Sequence, residues 1–443
     1  MSIISQVARS MQSVLTEIAD QVGASCRLVR RVRKFTPATL AQTLVFGFWQ
    51  NPRATVEELA EMASTCGVRV TPQAIEQRFN AALVTFLQRL LQAMIAQLVE
   101  GRAVNVALLR RFNGVYVQDS TVIGLPGLFA KQWAGCGRGD GRPEAGLKVQ
   151  VQLDLLRGQL HRLLLEPARD PDQKSALQKS PLPRGALRLA DLGYFCTATL
   201  AALAAQGVYW ISRIQSHTAV FDAAGQRLDL PAWLQAHVRR QPAEISVLLG
   251  SKQRVPCRLL AVPLPSEVVN RRRQRLYDEA RRKGRTPSQA RIDWCGWNIL
   301  VTNVESDRLS ICEAWALARA RWQIELLFKL WKQRGLVDES VSSKPYRRAA
   351  EVFSKLIALV LQHWTLLSSV WQLANRSQVK TVRILRRHVH TLAACLGSLS
   401  KLRQALREVS RLLKDAAVVQ ARRTNPSHHQ LLEQPNLLQY ALT

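Results

Sequence analysis

Apolar residues recur at helical spacing from residue 1 to about 105, with few turn signals between them, so this stretch is predicted to be helical. Within it, Thr55-Val-Glu-Glu58 has the form of a capping box opening a short helix with Leu59, Ala60 and Ala63 inward. Cys66-Gly67 breaks that helix. Thr71-Pro72 starts another, with Thr71 as cap and Pro72 at the first helical position. From about residue 106 the period changes. Residues 115–118 read as a strand ending at Asp119, and the glycine-rich stretch 135–146 reads as a loop. Residues 147–155 alternate apolar and polar, Arg157-Gly158 turns the chain, and 159–165 reads as the returning strand. Residues 187–190 form a short strand ending at Asp191, followed by a helix over 197–206 and a strand over 209–213. This is an α/β rhythm.

The rhythm is then interrupted. Residues 216–293 hold short β-like runs at 244–249 and 257–262, together with a basic block. That block contains Arg271, Arg272, Arg273, Arg275, Arg281, Arg282, Lys283 and Arg285. We read an inserted, mainly β subdomain. The α/β pattern resumes at 297–302, and a long helix is predicted from Ile311 to about Arg334. Ser310 and Glu313 form its capping box, and Gly335 ends it. The expected division is a helical segment 1–105, a core in two parts (106–215 and 294–340), the insertion 216–293, and helices over 341–443.

Charge changes the picture more than composition does. The 443 residues carry 62 Lys and Arg against 32 Asp and Glu, a net charge of +30, with 47% hydrophobic residues. An excess that large implies a polyanionic partner, and nucleic acid is the default. The longest apolar run near the C-terminus, 356–361, is far short of a membrane span, and the N-terminus lacks a signal-peptide pattern. A membrane partner is therefore not expected. The eight cysteines stand singly, with no CxxC pair, which argues against a structural zinc or a disulfide framework. Gln73, Gln77 and Arg78 on the second of the two short helices give the look of a helix-turn-helix reader of DNA, a pattern that any two packed helices also produce.

Three carboxylates stand out. Asp119 and Asp191 each follow a strand, where sites collect in open α/β sheets, although a lone aspartate there is most often a turn former. Glu325 lies in the long helix, and Arg321, Glu325, Lys329 and Lys332 share one face of it at helical spacing. That stripe could be an ordinary solvated ion-pair row. It is, however, crowded by Trp322, Ile324, Leu327, Phe328 and Trp331, which argues for burial and a need for partners. Two strand-end aspartates and a helical glutamate supply the hard oxygen ligands that two-metal phosphoryl chemistry requires. Arg and Lys beside them can hold phosphates without competing as ligands.

The stretch from Ala318 through Arg321 and Glu325 to Lys332 resembles the Tyr-x2-Arg-x3-Glu-x6-Lys signature of bacterial DDE transposases of the insertion sequence 4 family. Asp119 in Gln-Asp-Ser-Thr and Asp191 in Ala-Asp-Leu-Gly-Tyr-Phe resemble that family's first two catalytic aspartates. The resemblance covers roughly residues 50–370. It implies an RNase H-like catalytic core interrupted by a mainly β insertion, flanked by helical domains. It also implies two Mg²⁺ ions, with Mn²⁺ able to substitute, held by Asp119, Asp191 and Glu325. Trp297 matches the aromatic that stacks on a flipped base in hairpin-forming relatives, or is a core tryptophan. Lys148 and Arg213 match basic positions of the family's core. Ala318 stands where the signature has Tyr, so the role of that Tyr would fall to another residue such as Trp315 or Trp322.

The expected protein is a transposase of the bacterial cytoplasm, on the nucleoid. It would cut double-stranded DNA at terminal inverted repeats and join the 3′-hydroxyl to target DNA, as a homodimer in a synaptic complex. Arg321, Lys332, Trp297, Lys148, Arg213, Arg271, Arg272, Arg273, Arg78 and Gln77 are the expected DNA contacts. The basic block could instead be a solvated hairpin or disordered loop. The alternatives are a transposase-derived binder that no longer cuts, and a metal-dependent nuclease that cuts without joining.

Overall fold

A computed structural model describes residues 2–29, 34–137, 144–239, 241–373, 376–418 and 428–436. The glycine-rich loop is therefore described only at its two ends. Nine strands are described: β1 Val115–Leu125, β2 Ala145–Asp154, β3 Leu160–Pro167, β4 Leu187–Ala190, β5 Tyr209–Arg213, β6 Val220–Phe221, β7 Ala243–Leu249, β8 Val255–Pro263 and β9 Trp297–Thr302. The chain divides into two compact units.

The first unit joins residues 1–104, 120–170 and 324–421. Its centre is helix Pro345–Ser369, whose side chains are buried on every face from Ala349 onward. Helices Pro37–Gln50 and Ala81–Ile95 pack on it. By length and composition Pro345–Ser369 would also cross a membrane, but its apolar window lies wholly inside the protein. The capping box at Thr55 forms as expected and opens helix Val56–Thr65. Thr71 caps helix Pro72–Glu76, which is only five residues long, so Gln77 and Arg78 fall in the turn after it. In the same unit β2 and β3 are antiparallel, with a register shift at Gln152/Leu153. Gly158, in the turn joining them, has a φ of 71°, a conformation that favours glycine. Although β2 alternates apolar and polar residues, it is buried on both faces, Lys148, Gln150, Gln152 and Asp154 included.

The second unit joins residues 105–119, 171–323 and 422–443. Its strands run in the order β1-β4-β5-β9-β8-β7-β6. The β1/β4 and β4/β5 pairs are parallel, and every later pair is antiparallel. Trp210, Leu234, Leu259 and Val301 lie in its apolar core.

Three expectations change. The first strand does not stop at Asp119 but runs on to Leu125, because Thr121, Ile123 and Leu125 alternate inward. The inserted stretch is not mainly β: three helices accompany its strands, which extend the existing sheet through β8 and β9. The basic block is largely helical, Ser266–Arg282, with no fully buried residue and one side half-buried, Val268, Arg272 and Arg273 included. Finally, the long helix is two: Ile311–Ala320, with the expected Ser310/Glu313 capping box, and Trp322–Gln333.

Candidate active site

The site in the second unit is built by strand register. β1 and β4 run parallel, and their last paired positions are Gln118 and Ala190. Asp119 and Asp191 are the next residue on each strand, so both carboxylates emerge at the same level of neighbouring strands. Below them the backbone is tied. The buried Arg188 donates from Nε to Gln118 Oε1 at 2.9 Å and from Nη2 to Gln178 Oε1. Burial pulls the Arg188 guanidinium down to about 10. Gln178 in turn donates to the Tyr194 carbonyl at 2.9 Å, holding the turn that follows Asp191.

Arg321 stands between the two carboxylates. Its Nη1 donates to Asp119 Oδ2 at 3.0 Å, and its Nη2 lies 3.8 Å from Asp191 Oδ1. Arg321 sits at the break between helices Ile311–Ala320 and Trp322–Gln333. Asp119 and Arg321 are about one-fifth exposed and Asp191 is 44% exposed, so the pair is open to solvent on the Asp191 side. Glu325 lies four residues on, in the first turn of the second helix.

Asp191 and Arg321 also line a cavity of about 480 Å³. Arg213, Arg272 and Arg319 line it too, so among the described residues four guanidiniums face it with one carboxylate, Asp191. Burial, and then the nearby charge of Arg213, holds Arg272 below the usual arginine value. Arg272 is fixed by Asn298 Oδ1 at 2.6 Å and by the Trp297 carbonyl at 3.3 Å. A half-enclosed space with that charge excess is chemically suited to a polyanion such as a phosphodiester. Ala318 lies on its wall together with both Trp315 and Trp322, and Trp322 is 45% exposed.

The other expected residues are spread out. Trp297 begins β9, packs against the unit's apolar core, and donates from its indole to the Val238 carbonyl at 2.9 Å. Arg271 is exposed and Arg273 half-buried on helix Ser266–Arg282. In the first unit, Lys148 is buried on β2 and donates to the Asp170 carbonyl, and Lys332 lies 4.0 Å from Asp338. Sequence reasoning passed over Arg319, Asn298 and the Arg188–Gln118 tie. Arg319 lies between Ala318 and Arg321 of the signature, on helix Ile311–Ala320; for Arg188, on β4, nothing local distinguishes a buried strand arginine from an exposed one.

Among the described residues, no group of three or more His, Cys, Asp and Glu side chains is gathered as a ready metal cage. The two aspartates do fit a hard divalent ion. They are oxygen donors on adjacent strands, and a cation, Arg321, is already drawn between them.

Comparison with known proteins agrees with this architecture. Residues 110–361, more than half of the chain, match the family described as Transposase DDE domain. The chain belongs to that family, and the matched span contains Asp119, Asp191 and Glu325. It is 24% identical over 429 residues to the transposase for insertion sequence element IS231F of Bacillus thuringiensis subsp. israelensis, covering 90% of this chain and 89% of the relative. It is 26% identical over 308 residues to the transposase for IS1151 of Clostridium perfringens, 65% of each chain. A 145-residue stretch is 32% identical to the putative transposase InsL for IS186A of Escherichia coli strain K12, covering 31% of this chain and 39% of the relative.

Proposed function

We propose that this chain is an insertion-sequence transposase of the Tyr-Arg-Glu-Lys signature group, with an RNase H-like core, that cuts transposon ends and joins them to target DNA. The observation that carries the reading is the register of β1 and β4, which sets Asp119 and Asp191 side by side, bridged by Arg321. Asp119, Asp191 and Glu325 are the three acids of the reaction and the residues that would hold Mg²⁺, or Mn²⁺ in its place. When bound, the ions lower the cost of forming the attacking oxygen nucleophile and of releasing the leaving oxygen.

The chain's own residues supply the rest. Arg213, Arg272 and Arg319 line the cavity beside Asp191 and hold the phosphates flanking the scissile bond. Arg321 holds the two carboxylates in place before DNA arrives, then turns a donor to the phosphate. In the first step a water oxygen bonds to phosphorus and the bond to the 3′-oxygen breaks, leaving a 3′-hydroxyl and a 5′-phosphate. In the second that 3′-oxygen bonds to a target phosphorus, the target's own bond from phosphorus to the 3′-oxygen breaks, and the proton lost by the attacking hydroxyl is balanced by the one taken up as the target 3′-hydroxyl leaves. Lys332 and Lys148 serve as further phosphate contacts. The N-terminal helices, with Gln77 and Arg78, and the exposed basic helix bearing Arg271 and Arg273 grip the end DNA. Trp297 keeps its place against the unit's apolar core, its indole held by the Val238 carbonyl. Two ends must be joined together, so the working form is a homodimer in a synaptic complex on cytoplasmic DNA.

The test is a denaturing gel of labelled inverted-repeat DNA with Mg²⁺, wild type beside Glu325→Ala and Asp119→Asn. Nicks at the repeat boundary and joined product from the wild type alone are expected. Equal binding without cutting by all three proteins would leave a DNA-binding protein, and nicks without joined product a nuclease.

A further inference from the structure

A run of ion pairs in the first unit is not used by the chemistry above. Glu76, the last residue of helix Pro72–Glu76, takes Lys344 Nζ at 2.7 Å on one oxygen and Arg347 Nη1 at 3.0 Å on the other. Arg347 also lies over the Phe79 ring at 5.4 Å and reaches the Ala54 carbonyl at 3.5 Å, just before the Thr55 cap. Its Nε donates to Glu351 Oε1 at 3.1 Å, one turn along helix Pro345–Ser369. Glu351 Oε2 stands 3.8 Å from Lys355 Nζ, and both side chains are 1% exposed. Lys355 then donates to two backbone carbonyls, Glu339 at 2.7 Å and Leu336 at 3.1 Å.

Those carbonyls belong to the turn that ends helix Trp322–Gln333, the helix bearing Glu325 and Lys332. Leu336 is left-handed there, with a φ of 45°, a conformation that a leucine rarely adopts. It lets Gly335 and Val337 donate back to Leu330 and Trp331, closing the helix end. Burial pushes the Lys355 amine down to about 8, so holding it charged is costly. A buried ion pair is weak support for stability, because apolar side chains of the same volume do as well. What an apolar side chain cannot do is bind two carbonyls of a strained turn.

We propose that Lys355 is a positioning residue for the helix bearing Glu325, and that the chain Glu76–Arg347–Glu351–Lys355 links it to the helices that read transposon ends. This rests on the transposase reading given above. Double-stranded DNA arriving beside Gln77 and Arg78 brings phosphates that compete with Glu76 for Lys344, which is 69% exposed, and for Arg347. Release of Arg347 from Glu76 shifts it toward Glu351, and Lys355 passes the change to the turn.

The experiment uses the full chain and three variants: Lys355→Met, the charge-free pair Glu351→Gln/Lys355→Met, and Glu76→Gln. Amide hydrogen exchange at residues 335–339 is followed with and without inverted-repeat DNA, alongside DNA affinity and nicking at saturating DNA. In the two Lys355 variants those amides should exchange about tenfold faster without DNA, by loss of local protection. Nicking should fall about tenfold with affinity within about twofold, the split expected of a residue acting after binding. In the wild type, DNA should change exchange in the turn, and in Glu76→Gln it should not. The charge-free pair guards against misfolding, since no ion is left buried without its partner.

Unchanged exchange in the folded charge-free pair would overturn the positioning role. A DNA response in Glu76→Gln equal to that of the wild type would overturn the link. A wild type that neither binds nor nicks the DNA would defeat the transposase reading and with it the link, while exchange in the Lys355 variants would still decide the positioning role.

Discussion

Arg321→Ala separates two roles of one side chain. In the absence of metal the guanidinium neutralises Asp119 and Asp191, at 3.0 and 3.8 Å. Charge-assisted hydrogen bonds are worth roughly 1.5–3 kcal/mol, and the one-fifth exposure of Arg321 and Asp119 argues for the lower end, about 1.5 kcal/mol. A divalent ion settling on the same oxygens must displace that interaction. Removing Arg321 should therefore tighten metal binding by about 1.5 kcal/mol, or about tenfold in affinity. On the proposed transposase reading the same change also removes a donor to the reacting phosphate, an expected loss of roughly 10²–10³ in rate, as for other transition-state donors. Calorimetric titration with Mn²⁺ in the absence of DNA, paired with nicking rates at saturating metal, reads both effects. Tighter metal binding with slower cutting is expected. Metal affinity equal to or weaker than that of the wild type would refute the competition.

Other predictions concern different parts of the molecule. Arg272→Ala should weaken DNA binding and reduce the slope of log affinity against log salt by about one, the share of one phosphate contact; an unchanged slope in a filter-binding series would remove Arg272 from the interface. Burial lowers the His363 imidazole to about 4, while its Nε2 bonds the Gly158 carbonyl at 2.6 Å. The unfolded chain therefore binds the extra proton between about pH 6.5 and pH 4, so stability should be full above 6.5 and fall across that window. Urea melts of His363→Gln should show a flatter pH dependence there. Gly158→Ala should lower the thermal midpoint, because a Cβ would meet Trp371 at 2.4 Å on a backbone already at φ 71°; an unchanged melt would show that the turn can move.

Features governed by near neighbours in the chain were readable in advance. The capping boxes at Thr55 and Ser310 form with the partners their spacing called for, since such bonds close within three residues. The β2–Gly158–β3 hairpin and the strand starting at Trp297 were legible for the same reason: period-two alternation and turn chemistry are local. The signature around Arg321 and Glu325 picked out an arginine that lies against both aspartates.

Other features had no local signal. The end of β1 has no local mark because Asp119 looks like a terminator, whereas Thr121, Ile123 and Leu125 alternate inward and carry the strand past it. The long helix read as continuous because the break at Arg321 leaves its backbone in the ordinary helical region, with φ −51° and ψ −31°. Nothing in the alternation of β2 tells that Lys148, Gln150, Gln152 and Asp154 are covered, because burial depends on what packs over a face. The link from Glu76 through Arg347 and Glu351 to Lys355 joins residues more than 270 positions apart. The amino-acid order alone specified the capped helix starts, the hairpin strands and the basic charge, because helix caps, strand periodicity and net charge are short-range or additive. Folding decided that Asp119 and Asp191 face one cation and that four arginines share one cavity, because strand register and burial are settled between segments far apart in the chain.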